Sequence, residues 1–321
     1  MKRILALVFA LCLLTALPAS AVTVLTMGTG GTAGTYYAFG SEIATMWNRS
    51  DLDVEVTPLV TGASKANIVE VCDGGYQLGW SQNDTIFYAY NGDKDIFEGE
   101  KFDNFYAMAA LYPEAVHLVV AADGDIKNIE DLKGKAVSIG AAGSGTSINA
   151  LQILELAGLT TEDIKVQWLS FDESSTAFQN MTIDAFFVTA GIPNTGIISA
   201  AIKRPVRLIS LTDEQMATLQ EKYSFYVPVK VPAGTYEGQE PEVTIPSITA
   251  TIIVAKDLDE ELVYNLTKAL FENKGEMTHA KAQVLDPAFA VEGIPCPIHP
   301  GAAKYYAEIN VAIPEASQLP K

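Results

Sequence analysis

Three times in this chain a short β-type run leads into a turn of glycine and small hydroxyl residues that opens a helix-period pattern. Val22 to Met27 ends in Gly28-Thr29-Gly30-Gly31-Thr32-Ala33-Gly34, after which Phe39, Ile43 and Trp47 recur every four residues. Val54 to Val60 leads into Thr61-Gly62-Ala63-Ser64 and a short helix from Lys65 to Cys72, capped by Ser64 and stopped by Gly74-Gly75. Ala136 to Ile139 precedes Gly143-Ser144-Gly145-Thr146, which opens a helix carrying Ile148 and Leu151. Further β runs are expected at Leu78 to Trp80, Val116 to Ala121, Val166 to Leu169, Ala185 to Val188, Val206 to Leu211 and Thr249 to Ala255. A helix is expected from Leu258 to Asn273, with Leu262, Leu266 and Leu270 on one face. Strands alternating with helices predict an α/β fold with largely parallel sheets. Val227 to Pro246 holds four prolines and is expected to be an extended surface segment.

The amino-terminal residues form an address. Met1-Lys2-Arg3 is basic, Ile4 to Leu17 is apolar apart from Thr15, and Pro18-Ala19-Ser20-Ala21 supplies the Ala-x-Ala arrangement that signal peptidase reads. The apolar run, of about 14 residues, falls short of the roughly 20 that span a bilayer. Cleavage is expected after Ala21, leaving a soluble, exported, periplasmic chain. Loss of Lys2 and Arg3 takes the formal charge from −18 to −20. Such a chain repels phosphate backbones, and it has no basic cluster with interleaved aromatics, which excludes nucleic acid as a partner. The three histidines and three cysteines are widely separated, and no Gly-x-Ser-x-Gly occurs. No catalytic residue, metal or cofactor is expected, and the chain is not read as an enzyme. Cys72 and Cys296 remain after export, either as a disulfide or as two free thiols.

Gly28-x-Gly30-x-x-Ala33 formally fits a dinucleotide fingerprint, with Asp51 and Asp53 near the expected offset. Export argues against it, because nicotinamide cofactors are not generally available outside the cytoplasm. The same physics suits another ligand. A glycine turn at a helix N-terminus presents backbone N–H groups and the positive end of a dipole, which holds a carboxylate as well as a phosphate. Gln82-Asn83-Asp84 closes a β run, where ligand-contacting side chains lie in open α/β sheets.

A series of segments in fixed order carries a resemblance: Gly28 to Tyr37, Thr61 to Asn67, Ser81 to Asp84, Asp131 to Lys135, Gly140 to Thr146, Asp184 to Phe187 and His299-Pro300-Gly301. The series resembles the TAXI solute receptors of tripartite ATP-independent periplasmic (TRAP) transporters, over essentially the whole mature chain. Ala63, Ala66 and Asn180-Met181 depart from the usual pattern, the first two beside the presumed pocket. The resemblance implies a two-lobed periplasmic-binding-protein fold, type II-like, with a ligand cleft between α/β lobes that closes like a flytrap. Lobe I is placed at residues 22–118 plus 247–321 and lobe II at 119–246, with crossings near Val119 and Pro246. It implies a receptor for a small carboxylate, a glutamate-like amino acid or dicarboxylate, delivered to the permease subunits of an ion-gradient-driven TRAP transporter. Receptors of an ATP-driven (ABC) importer are the alternative, followed by an exported hydrolase. For the ligand, Gly31, Gly34, Thr35 and Tyr36 are expected on one carboxylate, with Ser144, Gly145 and Thr146 closing from the other lobe. Ser64, Asn67 and Gln82 add hydrogen bonds, and Asp84 either accepts from an amino group or caps a turn. Lys65, the one basic residue inside the three loops, is the candidate counter-ion, against its reading as a solvated surface lysine.

Overall fold

The computed structural model describes residues 22–319, so the expected signal segment and its cleavage site lie outside the described residues. The first half runs β1 (Thr23–Gly28), α1 (Thr35–Arg49), β2 (Val54–Leu59), α2 (Ser64–Cys72), β3 (Leu78–Gln82) and α3 (Asn83–Asn91). A long strand, β4 (Phe105–Ala121), carries the chain into β5 (Ala136–Ser138), α4 (Gly145–Leu156), β6 (Lys165–Gln167), α5 (Phe171–Gln179) and β7 (Ala185–Ala190). Then come α6 (Thr195–Lys203), β8 (Val206–Leu208), α7 (Asp213–Lys222) and β9 (Val227–Val231). The second long strand, β10 (Val243–Ala255), returns the chain to α8 (Glu260–Glu272), α9 (Ala280–Gln283) and α10 (Pro300–Glu308).

The strands line up as β2-β1-β3-β10-β4-β7-β5-β6, with β8 added to β4 and β9 to β10. β1, β2 and β3 are parallel, as are β5, β6 and β7, whereas β4 and β10 run antiparallel to each other and to the strands they join. Each half is therefore a small parallel α/β layer, and the two antiparallel strands connect them. The hydrophobic cores divide accordingly. One gathers side chains from Leu25 to Tyr112 and from Ala250 to Tyr306, with Ile148 at its border. Two further clusters, within residues 115–248, fill the other half.

This packing shifts the expected crossings. Ala115, Val116, Leu118 and Ile248, placed in lobe I by sequence, pack in the cores of lobe II. The reason is the length of β4. It begins at Phe105, well before the apolar run that signals it, so its midpoint lies near Pro113-Glu114, opposite Thr249 and Ile248. Val227 to Pro246 is also more ordered than its prolines suggest. Residues 227–231 pair antiparallel with 243–247 as an edge hairpin, where proline removes no interior ladder bond. Ser64 does not cap α2: Ala63 is the cap residue, and the Ser64 hydroxyl accepts from the Gln82 N–H. The cysteines are two free thiols, Cys72 half-buried and Cys296 buried. Burial pushes both thiols up, Cys72 to about 11.

Helices α8 and α10 cross at Gly301, where a Cβ would stand 2.1 Å from the Glu260 carbonyl oxygen and 2.7 Å from the Tyr264 nitrogen. His299 fixes this approach, accepting from the Gly301 N–H through Nδ1 and holding the Leu258 carbonyl through Nε2. Both histidine ring contacts are to backbone. Gly301→Ala should destabilise the protein by about 1–3 kcal/mol through overpacking. Urea denaturation checks this, and an unchanged midpoint would show that the two helices separate freely.

Candidate functional site

Every strand of the two parallel layers delivers its carboxyl end toward the junction between lobes, the usual ligand position in open α/β sheets. A cavity of about 280 Å³ lies there. From lobe I it is lined by Gly30 to Thr32, Thr35 and Tyr36 after β1, by Val60 to Ser64 after β2, and by Gln82 at the end of β3. From lobe II come Ala141 and Ser144 to Thr146 after β5, Ser170 to Asp172 after β6, and Thr189 on β7. Glu114, on β4 where the chain changes lobes, completes the lining. The volume sits at the lower edge of the ~300–1,000 Å³ typical of small-molecule sites, which suits a small metabolite and not a peptide.

Four helices begin at this cavity: α1 at Thr35, α2 at Ser64, α4 at Gly145 and α5 at Phe171. The first-turn N–H groups of a helix have no intrahelical partner. Ser144 and Ser170 satisfy one such group each on α4 and α5, but α1 and α2 have no side-chain cap. On α2 the Lys65 N–H is taken by the Gly143 carbonyl across the lobes, and the remaining uncapped first-turn groups and four positive dipole ends converge on one small space. Ala63, the cap residue of α2, holds φ +67° and ψ −140°, a conformation that favours glycine. That strain lies in the cavity wall.

Hydrogen bonds join the lobes around the cavity. Asp172 on α5 accepts from the Thr32 hydroxyl at 2.7 Å and the Ala33 N–H at 3.2 Å. Thr35 accepts from the Gly191 N–H at 3.2 Å, and Lys65 donates its backbone N–H to the Gly143 carbonyl at 3.2 Å. Behind the cavity, Asn149 donates to Asp84 at 2.7 Å. The lobes are closed on each other.

Of the residues singled out by sequence, Gly31, Thr35, Tyr36, Ser64, Gln82, Ser144, Gly145 and Thr146 come together in the lining. Gly34, Lys65, Asn67 and Asp84 do not. Lys65 turns away, its ammonium donating to the Ile96 carbonyl and standing 5.3 Å from the centre of the Phe97 ring. Asn67 is spent on structure, donating to the carbonyls of Thr29 and Trp80. Asp84 is fully buried against Thr85 and Asn149, and burial pushes its carboxyl up to about 6. Gly34 serves the turn, donating its N–H to Gly31.

Glu114 and Asp172 are the acids that sequence reasoning missed. Glu114 had a readable signal, since it is the one formally charged residue among the seventeen of β4. It is 2% exposed, and one of its oxygens accepts from the Tyr36 hydroxyl at 2.6 Å. Burial pushes its carboxyl up to about 8, with the Tyr36 hydrogen bond opposing. Among the described residues, neither lysine, arginine nor histidine lines the cavity. Among the described residues, no group of three or more His, Cys, Asp or Glu side chains could hold a metal ion.

Comparison with known proteins agrees with the fold and corrects the family. The fold is similar to that of a solved protein from Bordetella bronchiseptica, at a TM-score of 0.56 and 16% identity over 92% of this chain and 86% of that one. PhnD1 from Prochlorococcus marinus, solved in complex with methylphosphonate, gives 0.52 and 14% over 81% and 88%. The alkanesulfonate-binding protein SsuA from Xanthomonas axonopodis, bound to MOPS, gives 0.46 and 15% over 90% and 85%. The first two likenesses support the two-lobed α/β fold. The resemblance to TAXI receptors of TRAP transporters is overturned by the family match, which spans residues 27–309. The chain belongs to the NMT1-like family.

Proposed function

We propose that this chain is an exported solute receptor that closes its lobes on a small solute carrying an oxyanion and hands it to the permease of an ATP-driven importer. The carrying observation is the cavity between the lobes, onto which four helix N-termini converge, two of them without a side-chain cap. Such N–H groups bind an oxyanion without a cationic side chain. The absence of lysine and arginine from the lining gives them that role here. Methylphosphonate, the ligand in the PhnD1 complex, is an anion of this size, and that protein shares the fold. The basic, apolar and Ala-x-Ala segments at residues 1–21 support export to the periplasm. Binding is favoured over catalysis because the lining has no histidine, cysteine or lysine to activate its hydroxyls. An ATPase gene beside this one would accord with the importer class, and a lone ion-coupled permease gene would contradict it.

Closure is the mechanism. Entry requires the inter-lobe bonds of Asp172, Thr35 and Lys65 to open, with dihedral changes in the two crossing strands near Glu114 and Thr249. Thermal denaturation of ligand-depleted protein, screened against small carboxylates, phosphonates and sulfonates, should show stabilisation by at least one. X-ray scattering with the most stabilising solute should then give a smaller radius of gyration than the free protein. Identical curves at saturation would contradict closure. A third outcome concerns Gly145, where a Cβ would stand 1.9 Å from Gln82 Oε1. Gly145→Ala drives that carboxamide into the cavity and should abolish the thermal shift while leaving the circular dichroism of the fold unchanged. Retained binding would place the solute elsewhere.

A further inference from the structure

We propose that the solute is a zwitterion, and that Glu114 together with the carboxamide oxygen of Gln82 receives its protonated amine while the helix N-termini hold its oxyanion. This rests on the receptor reading above and narrows its ligand class.

Two observations carry it. Glu114 is a buried acid with no cation: no lysine or arginine nitrogen lies within ion-pair distance among the described residues. The nearest candidate, Lys281 on α9, donates to the Ile192 carbonyl at 3.1 Å and sits 5.3 Å from the centre of the Tyr112 ring. One Glu114 oxygen takes the Tyr36 hydroxyl, and the other receives no hydrogen bond from the protein. Independently, Gln82 is 3% exposed, lines the same cavity, and its Oε1 has no partner. The space beside it exists because residue 145 is glycine. A buried acid with one oxygen engaged by Tyr36 and a buried carbonyl with no partner are costly when ionised or left unfilled, unless something with donors occupies the cavity. An oxyanion brings no donor to the Gln82 carbonyl oxygen, and it suits Glu114 only while that carboxyl is protonated. An ammonium brings three donors and the missing charge.

The walls supply the opposite pole. A solute with an anionic end at the N-termini and an ammonium at the floor matches both ends of this field, as an α-amino acid, an aminoalkylphosphonate or an aminoalkylsulfonate would. Asp172 differs from Glu114 in being exposed to solvent, and its Oδ2 already takes the Thr32 hydroxyl and the Ala33 N–H.

The reading has a signed pH signature. Glu114 is faced by the Tyr36 and Tyr112 hydroxyls, both held protonated by burial, by Asp84, which raises its carboxyl, and by Lys281, which lowers it. Burial dominates and places the carboxyl at about 8. An ammonium requires the ionised form, so its affinity rises with pH up to that point and then levels. A solute with an oxyanion alone prefers the protonated acid, and its affinity falls over the same range.

The test is isothermal titration of ligand-depleted protein with four matched pairs: taurine and ethanesulfonate, 2-aminoethylphosphonate and ethylphosphonate, β-alanine and propionate, L-glutamate and glutarate. The amine-bearing member of the tightest pair should bind about tenfold or more tighter than its partner. Its affinity should rise from about pH 6 to about pH 8, and Glu114→Gln, which retains the shape, should erase the preference. The wild-type pH profile decides the matter if that variant does not fold. Equal or tighter binding of the amine-free member, or an affinity that falls with pH, overturns the zwitterion and leaves the receptor intact. No binding by any of the eight, with no closure in scattering, overturns both.

Discussion

The architecture depends on one pairing, the antiparallel ladder between β4 and β10. These strands alone carry the described chain between the two cores, and their register sets Glu114 opposite Ile248 and Pro113 opposite Thr249. Because β4 enters one lobe as β10 leaves it, both crossings fall at one level, and the lobes can turn there without unthreading. Asn83 reinforces the level, accepting from the Thr249 N–H and donating to the Gly293 carbonyl. The cavity forms where the parallel strands of both lobes point their carboxyl ends at this ladder.

From that position follows the electrostatics of the site. The chain has an excess of negative charge, yet the cavity walls are built of helix starts whose backbone dipoles are locally positive. Glu114 lies beneath them, its carboxyl pushed up to about 8 by burial and negative only once ionised. Once Glu114 ionises, the two opposed poles inside a small volume favour charge separation in a ligand, which is the basis for proposing that its positive end lies at Glu114 and Gln82.

Much of this was legible in the sequence, for reasons that differ by residue. The strand–glycine–helix passages at Gly28 to Thr35, Thr61 to Ser64 and Gly143 to Thr146 announced the α/β layers and most of the lining, because local turn chemistry determines them. Helix α3, which starts at Asn83, is not signalled, because Gln82-Asn83-Asp84 reads as the close of a β run. Lys65 sat in the right loop, but helix geometry turned its long side chain toward Ile96, a direction that spacing does not encode. Asn67 follows a glycine loop and Asp84 closes a β run, and tertiary packing uses them to tie backbone and lobes together. Glu114 was a lone charge in an apolar strand. What made it a site residue was the place where β4 changes cores, and that depends on long-range pairing with β10. The same holds for Asp172, which meets Thr32 and Ala33 across some 140 residues of chain.

The central claim is that a solute bridges the lobes at Glu114. A crystal structure of the protein as purified after secretion, before any ligand depletion, tests it most directly. The account predicts a small molecule between the lobes, with a donor atom about 2.6–3.2 Å from a Glu114 oxygen and acceptor oxygens at the N–H groups of α1 and α2. Lobes closed over water alone, or a solute bound outside the cavity, would contradict it.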